Sequence, residues 1–189
     1  MRLSVLDTYW ADLTETEGTI SYGTPKKLSG AVSVGVTHNK TQSTVYESGA
    51  TIYNKSNVSG GTIDLSTHTM SEADRARILY GITVSEGNVD YDVGADTDTS
   101  PRGAFGFAVM EEDTSTGQKK YRCTWFFDCT MAPPDGTYNT SDGNGPNTEP
   151  DAFQFAFSRR PTDRKYRRTA VVADEAEMKA FFASVEKDA

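Results

Sequence analysis

Hydrophobic and polar positions alternate most clearly over residues 101–131. In the second half of this stretch every odd position from 121 to 131 is apolar, and the even positions are mostly polar. The first half alternates as well, with Phe105, Phe107 and Val109 sharing one face. A period of two residues is typical of β-strands with one buried face, so we predict a hairpin that turns at Gly117. Charged residues flank the turn and are placed to pair across it: Glu111, Glu112, Lys119 and Lys120.

The second strand of this hairpin carries both cysteines, Cys123 and Cys129, which the alternation assigns to the same face. A strand rises about 3.3 Å per residue, so the two residues should lie roughly 20 Å apart. A disulfide requires Cα atoms within about 7 Å, and the spacing is not that of a C-x-x-C motif. We therefore predict two buried, unpaired thiols in a core rather than a redox or metal site.

Further strands are predicted on both sides of the hairpin. Valines alternate in 28–39, short candidates follow as "STVYE" and "ATIYN", and Ile63 and Leu65 share a face in "TIDLST". Strand character returns in "ITVSEGNVDYDVG", and "AFQFAFS" places three phenylalanines on one face. Three segments are predicted to be irregular: an arm with an acidic stretch over 1–27, a flexible "NKSNVSGG", and a loop over 132–151 that lacks periodicity.

Two helices are indicated by their ends. Ser71 is a suitable N-cap for a short helix over 72–80 that Gly81 would close. Asp174 is placed to cap a second, amphipathic helix, whose apolar positions are Met178, Phe181, Phe182 and Val185. The sum is a mainly β chain: an antiparallel β-sandwich or barrel with one short internal helix and a C-terminal helix. We expect an N-terminal arm at 1–27, a β domain at 28–173 and a helical tail at 174–189.

Composition narrows the class of protein. The chain has 189 residues, a net charge of −8 and 36% hydrophobic residues, which suits one folded domain. There is no apolar run of membrane-spanning length, and the N-terminus lacks the hydrophobic region of a signal peptide. Two unpaired cysteines fit synthesis in a reducing cytoplasm. The acidic balance argues against a general nucleic-acid binder, although a protein that tolerates nucleic acid without holding it stays possible.

Motifs for catalysis and for metal binding are scarce. The two histidines, His38 and His68, have no neighbouring ligand at metal-site spacing, and no nucleophile elbow or phosphate-binding loop occurs. The acidic positions Asp90, Asp92, Asp96 and Asp98 begin like a Ca²⁺ loop, but Pro101 stands where glycine is needed. A solvated acidic strand is the favoured interpretation, and we expect no catalytic residue, no cofactor and no metal.

The basic residues cluster in one place. The cluster comprises Arg159, Arg160, Arg164, Lys165, Arg167 and Arg168. It lacks the interleaved aromatics of a single-strand nucleic-acid site beyond Tyr166. In an acidic chain we favour contacts between this cluster and the acidic surface of another copy, and we add Glu111 and Glu112 at the hairpin turn as inter-subunit candidates.

The order of these pieces resembles a known family. "ISYGTPKKLSGAVSVGV" is followed by "GGTIDLSTHTMSEADRARILYG", by the cysteine-bearing hairpin, by a stretch rich in Pro, Gly and Asn, and by "EPDAFQFAFSRRPTDRKYRRTAV". Over roughly 17–174 this is similar to the major tail proteins of long-tailed phages of Gram-positive bacteria. The resemblance implies a β-sandwich or barrel-like subunit with a helix at its side. It also implies a virion protein, made in the host cytoplasm, whose hexameric rings stack into a tail tube.

The resemblance further implies partners and candidate surfaces. The partners would be other copies of the chain and the tape-measure, tail terminator and tail-tip proteins, while DNA would pass through the channel without specific binding. A channel wall should repel phosphate weakly, so we propose Ser33, Thr37, Asp90 and Asp92 as lumen-facing residues. Residues 40–62, 132–151 and the N-terminal arm are candidates for contacts between rings.

Two other classes stay open. A ligand- or carbohydrate-binding β-sandwich would need a solvent-facing row of aromatic side chains, whereas the alternation assigns most aromatics to buried faces. A hydrolase on a β-scaffold is weaker still, because histidine is scarce and no catalytic motif is present.

Overall fold

The computed structural model describes residues 1–47, 50–68, 70–79, 83–86, 89–92, 100–131 and 150–186. The elements within these ranges are β1 (Arg2–Thr16), β2 (Thr19–Tyr22), β3 (Lys26–Gly30), β4 (Ser33–Glu47), β5 (Ala50–Thr67), α1 (Glu72–Leu79), β6 (Thr83–Glu86), β7 (Val89–Asp92), β8 (Gly103–Glu112), β9 (Lys119–Met131), β10 (Asp151–Ser158), β11 (Arg167–Val172) and α2 (Glu175–Phe182).

All the strand pairings described are antiparallel. The main sheet runs in the order β2-β1-β8-β9-β10-β5-β4, with β3 also pairing β1 and β11 also pairing β9. The strands β6 and β7 form a separate ribbon. The expected mainly antiparallel β fold, with a short internal helix and a C-terminal helix, is confirmed.

The main sheet closes into a barrel because one continuous segment of the chain bridges its two sides. The first part of this segment, β3, pairs with β1, and the second part, β4, pairs with β5. Side chains seal the seam: the Thr8 hydroxyl donates to the Ser29 carbonyl over 2.9 Å, and the Thr67 hydroxyl donates to the Gly30 carbonyl over 3.0 Å. The Val32 amide donates to the Ser66 carbonyl beside them. Buried hydroxyls are thus satisfied where the sheet closes.

Aromatic rings fill the barrel. The Phe155 ring of β10 lies 4.6 Å from the Phe105 ring of β8 and 5.9 Å from the Trp10 ring of β1, measured between centroids. Ile78 of α1 joins this cluster and is fully buried. Rings contributed from opposite walls hold a small barrel closed, since each buries a large apolar area.

A second core lies on the outer face of β8 and β9, beneath α2. Its buried members from the helix side are the four predicted positions Met178, Phe181, Phe182 and Val185. Asp174 caps the helix as expected, because its carboxylate accepts from the Glu177 amide at 2.8 Å. The C-terminal segment is therefore packed against the sheet rather than extended as a separate tail.

A bulge in β9 corrects the predicted position of the cysteines. Gly103 pairs with Cys129 and Phe105 pairs with Phe126, so β9 holds one more residue than β8 between these pairs. The extra residue reverses the alternation, and every residue downstream of it changes face. Cys123 consequently lies in the core beneath α2, whereas Cys129 lies inside the barrel. Both thiols are buried and unpaired, as predicted, but they do not share a face.

The predicted N-terminal arm is wrong. Residues 2–16 form β1, which pairs along β8, and Trp10 and Ala11 are each 1% exposed. These neighbouring residues face different cores, Trp10 inside the barrel and Ala11 beneath α2. A strand buried on both faces at its centre and polar at its ends shows no clean alternation, which explains why the pattern suggested irregular structure.

The predicted flexible stretch at 54–61 is also wrong, because it lies within β5. Gly60 pairs with Ser158 and Gly61 with Phe157. A Cβ atom at Gly61 would overlap the Thr37 carbonyl oxygen, so the glycine permits close approach of two strands. The first helix is confirmed over Glu72–Leu79, with the Asp74 amide donating to the Ser71 hydroxyl at 3.1 Å. Gly81 and most of the predicted loop 132–151 lie outside the described residues.

The thiols give a prediction on reactivity. Both cysteines are 0% exposed, and burial raises the pKa of Cys123 to about 11 and also raises that of Cys129. Because the thiolate is the reactive form, we expect negligible modification of the native chain by a thiol-specific disulfide reagent at pH 8. The full complement should react in denaturant. A Val171→Cys variant, altered at an exposed position, should show one fast thiol; fast reaction of the unaltered chain would contradict the buried assignment.

Candidate functional site

Three adjacent strands present a polar outer face, which we call the polar face. Its members lie in three cross-strand rows set by the register of β4, β5 and β10. The rows are Ser33–Ser66–Ala152, Gly35–Asp64–Gln154 and Thr37–Thr62–Ala156. The intervening positions face the barrel interior, with Ile63, Leu65, Phe153 and Phe155 all buried. The result is an outer surface of small and polar side chains.

Charge on the polar face is sparse and negative. Asp64 is its one ionisable residue, and the Gln154 side chain donates to the Asp64 carboxylate at 2.8 Å. The face carries neither a cation nor an aromatic ring among the three rows. It therefore offers phosphate groups no attractive partner, and it offers sugar rings no stacking platform.

The structure brings some of the predicted lumen-facing residues together. Ser33 and Thr37 are exposed and lie in the outer rows of the polar face. Asp90 and Asp92 lie in β7, where they pair with Ser85 and Thr83; their side chains are outside what the structure describes, and their lumen role stays a prediction. The ribbon of β6 and β7 lies beside α1.

Sequence reasoning missed Asp64 and Gln154, the centre of the polar face. The available signal was the alternation itself. With Ile63 and Leu65 inside, Asp64 must point out, and the phenylalanines of β10 place Gln154 outside in the same way. What the alternation could not give was the register that sets the two side by side.

Arg160, predicted to contact another copy, is buried inside its own chain. Its side chain forms ion pairs with Asp163, at 2.5 Å, and with Glu186, and its guanidinium lies 4.3 Å from the centre of the Phe127 ring. Burial alone would lower the pKa of this guanidinium, but the hydrogen bonds to the two carboxylates outweigh it and raise the pKa. A residue that is 6% exposed cannot offer its charge to a neighbour.

The rest of the basic cluster divides in two. Arg168 donates to the Val185 carbonyl at 3.1 Å and covers the Phe181 ring, so it also holds the C-terminal segment. Arg159 donates to the Val58 carbonyl, and Lys165 pairs with Asp163 at 3.3 Å. Arg164 and Arg167 are exposed and pair with no carboxylate among the described residues. The inter-subunit prediction is strongest for these last two.

Of the two acidic candidates at the hairpin turn, Glu111 also has partners within the chain. These residues lie across the hairpin from lysines, as predicted, with Glu111 opposite Lys120 and Glu112 opposite Lys119. The Glu111 carboxylate, however, accepts two hydrogen bonds from Arg122, at 2.9 and 3.0 Å, which lower the pKa of Glu111. Diagonal pairing with a longer side chain replaces the directly opposite pair.

One end of the barrel is open, and we call this opening the mouth. It is a cavity of about 710 Å³ between the start of β1 and the first half of β4. Its apolar lining includes Leu3, Val5, Val32, Val34, Val36 and Val109, and its cations are Arg2, Arg122 and Arg167. His38 also lines it; burial, together with the nearby Arg167 and Lys40, lowers the pKa of this imidazole.

Beyond the mouth, β4 and β5 continue as a two-stranded hairpin, to which no third strand pairs among the described residues. Residues 40–47 pair with 50–58, and β5 pairs with β10 only from Gly60 onward. The outer edge of β4 carries no further strand in the described sheet. At about 3.3 Å per residue, this distal hairpin projects roughly 26 Å past the barrel. An isolated two-stranded ribbon is marginally stable in water, so it favours a packing partner.

Other kinds of site find no support among the described residues. They contain no group of three or more His, Cys, Asp or Glu side chains that could hold a metal ion. No helix there is long and apolar enough to cross a membrane. Of the two histidines, His38 packs against aromatic rings, with its ring centroid 5.5 Å from that of Phe157, and His68 is exposed.

Comparison of the chain with protein-family models finds no match, and comparison with curated proteins finds none either.

Proposed function

We propose that the chain is the structural subunit of a phage tail tube, which self-assembles into stacked hexameric rings around a channel for DNA. The observation that carries this proposal is the polar face: three strands present nine small or polar positions with one carboxylate and no cation. In this arrangement the polar face lines the channel. The subunit has no catalytic role and no cofactor, and its place is the tail of the virion.

The chemistry of the polar face suits a conduit. Proteins that hold DNA neutralise phosphates with Lys and Arg, and each such contact adds to affinity. Small neutral side chains with an occasional carboxylate do the opposite, because they leave phosphates hydrated and weakly repelled. DNA can then move along the wall without pausing at specific sites.

The edges of the sheet suit assembly. The outer edge of β4 and the projecting distal hairpin leave backbone donors and acceptors available to a neighbour. Contacts between different surfaces of identical copies generate rings when the rotation closes. The other partners would be the proteins that end, fill and tip a tube: the tail terminator, the tape-measure protein and the tail-tip proteins.

Microscopy tests the proposal. Negative-stain images of the purified chain at high concentration should show rings or tubes of uniform bore. A chain that remains monomeric, both alone and with a tube end as initiator, would contradict a tube function.

A lysine substitution tests which face lines the channel. Ala152 and Ala156 are exposed on the polar face, so an Ala152→Lys/Ala156→Lys variant would place cations on the channel wall. Tubes of this variant, assembled in the presence of short duplex DNA, should hold the DNA inside the channel and protect the DNA from nuclease. The matched control is Ala176→Lys/Ala180→Lys, which places the same charges on exposed positions of α2. Equal protection by both variants, or protection by the control alone, would place the polar face outside the channel.

A further inference from the structure

The mouth has the size and the lining of a small-molecule site. Its volume of about 710 Å³ falls within the range of about 300–1,000 Å³ that is usual for ligand pockets. Its most buried apolar lining residues are Phe107 and Phe126, whose ring centroids lie 6.4 Å apart. The remaining apolar lining is aliphatic and comprises Leu3, Val5, Val32, Val34, Val36 and Val109. A small barrel can hold one small ligand where its own side chains leave the interior unfilled.

The aliphatic lining extends along β4 and reaches the surface. Val34, Val36 and His38 occupy successive inward positions of this strand, over a span of about 13 Å. Val32 continues the lining to the rim and is 54% exposed, and Leu3 on β1 is 39% exposed. Contiguous exposed apolar surface marks an interaction site. An elongated aliphatic lining is complementary to an unbranched alkyl chain lying along the strand.

Positive charge is in excess at the mouth, although the whole chain has a net charge of −8. Arg2, Arg122 and Arg167 line the mouth, and none of the described lining residues is a carboxylate. Glu111 pairs with Arg2 at 3.7 Å and with Arg122 at 2.9 Å. Arg167 pairs with no carboxylate among the described residues, and its guanidinium lies 5.5 Å from the centre of the Tyr166 ring. One carboxylate therefore faces three arginines, and the charge of Arg167 is left uncompensated.

Further polar groups lie close to Arg167. The His38 imidazole also lines the mouth, and Arg167 is near enough to contribute to the lowered pKa of this group. Thr124 lines it as well, with its hydroxyl 3.3 Å from that of Thr169. A guanidinium presents a planar fork of N–H donors that matches the two oxygens of a carboxylate. The mouth thus combines an aliphatic slot with a polar end suited to an anionic head group.

We propose that the mouth binds a single-chain amphiphile with a carboxylate head, such as a fatty acid. The alkyl chain lies on the valine lining, and the carboxylate pairs with Arg167. A neutral apolar molecule would leave Arg167 without a counter-charge, and a small inorganic anion would leave the valines uncovered. This activity goes beyond the tube function and uses a different surface, because the polar face lies on the outside of β4 and the mouth opens on its inner side.

Calorimetric titration with dodecanoate, kept below its micelle-forming concentration, tests head and chain separately. The unaltered chain should bind dodecanoate with saturation. Dodecyltrimethylammonium has the same alkyl chain with a positive head and should bind at least about tenfold more weakly, although an acidic protein attracts cations in general. Acetate, which lacks the chain, should also bind at least about tenfold more weakly. Equal binding of the two amphiphiles, or no binding of dodecanoate, would overturn the proposal.

Charge reversal at Arg167 tests the position of the head group. Arg167→Glu should weaken dodecanoate binding about tenfold or more, because the carboxylate then meets a like charge. The matched control is Arg164→Glu, since Arg164 is also exposed but does not line the mouth, and this variant should bind as the unaltered chain does. Thermal unfolding checks that both variants stay folded. Equal affinities of the two variants would contradict the assignment of the head group to Arg167.

The two histidines report where the ligand lies. His38 lines the mouth, whereas His68 is exposed and does not line it. In NMR spectra, dodecanoate should shift the imidazole resonances of His38 and leave those of His68 unchanged. A shift confined to His68 would place the ligand elsewhere and overturn the proposal. So would a chain that binds no dodecanoate and shows a His38 shift only on raising the protein concentration, which would assign the mouth to another copy of the chain.

Sedimentation of the same samples separates this inference from the proposed function. Tubes formed by a chain that binds no dodecanoate would overturn the ligand site and leave the tube function standing. Dodecanoate binding by a chain that forms no tubes, alone or with a tube end as initiator, would do the reverse.

Discussion

Removal of residues 44–54, the tip of the distal hairpin formed by β4 and β5, is expected to leave a folded chain that no longer assembles. The variant replaces residues 44–54 by Asn-Gly and so joins Ser43 to Lys55, its register partner. Asn-Gly suits a two-residue hairpin turn, and β5 pairs with β10 only from Gly60 onward, beyond the removed residues. We therefore expect little change in the free energy of unfolding and the loss of rings and tubes in negative-stain images and sedimentation.

The control for this deletion shortens another exposed turn in the same way. Replacing residues 113–118 by Asn-Gly joins Glu112 to Lys119, which are also register partners. This chain should assemble as the unaltered one does. Assembly by the tip deletion at normal yield would exclude the distal hairpin from subunit contacts. Deletion of 54–61, the stretch that the sequence predicts to be flexible, would be a poor test, because Gly60 and Gly61 pair with β10 within the main sheet.

Replacement of Arg160 by methionine is expected to destabilise the subunit by about 2–3 kcal/mol. Breaking a buried ion pair costs about 3–5 kcal/mol, but the side chains of Asp163 and Glu186 are 30% and 47% exposed and can regain water, which reduces the loss. The contact with the Phe127 ring is lost as well. For a chain of this size, the expected fall in Tm is about 4–12 °C.

Thermal unfolding monitored by circular dichroism checks this value. Arg164→Met is the matched control, because Arg164 lies in the same turn, is exposed and pairs with no carboxylate among the described residues. Its effect should stay within about 0.5 kcal/mol. Equal Tm values for the two variants would show that the buried pairs of Arg160 contribute little to stability.

The two corrections of strand structure have one physical origin. A period-two pattern identifies a strand when one face of the strand is buried and the other is exposed to solvent. At Trp10 and Ala11 both faces are buried, and in β9 a single extra residue between Phe126 and Cys129 exchanges the faces. Neither departure changes the local composition, so neither could be read from the residues alone.

The roles of the residues in the basic cluster also could not be predicted from the local sequence. Six cations within ten positions look alike in the sequence, yet Arg160 and Arg168 hold the C-terminal segment while Arg164 and Arg167 face solvent. The difference arises because β10 pairs with β9 up to Ser158, opposite Asp128, and so brings Arg160 over the ring of Phe127, a residue distant along the chain.

The sequence by itself determined the mainly β character of the chain and the two capped helices. It also determined the strand β10 with its buried phenylalanines, the hairpin around Gly117 and the burial of both thiols. These features depend on residues close together along the chain. The tertiary structure alone decided the closure of the barrel, the open mouth and the rows of the polar face. Ser33, Asp64 and Gln154 become neighbours only through strand register, and register is set by the packing of the whole sheet rather than by any local pattern.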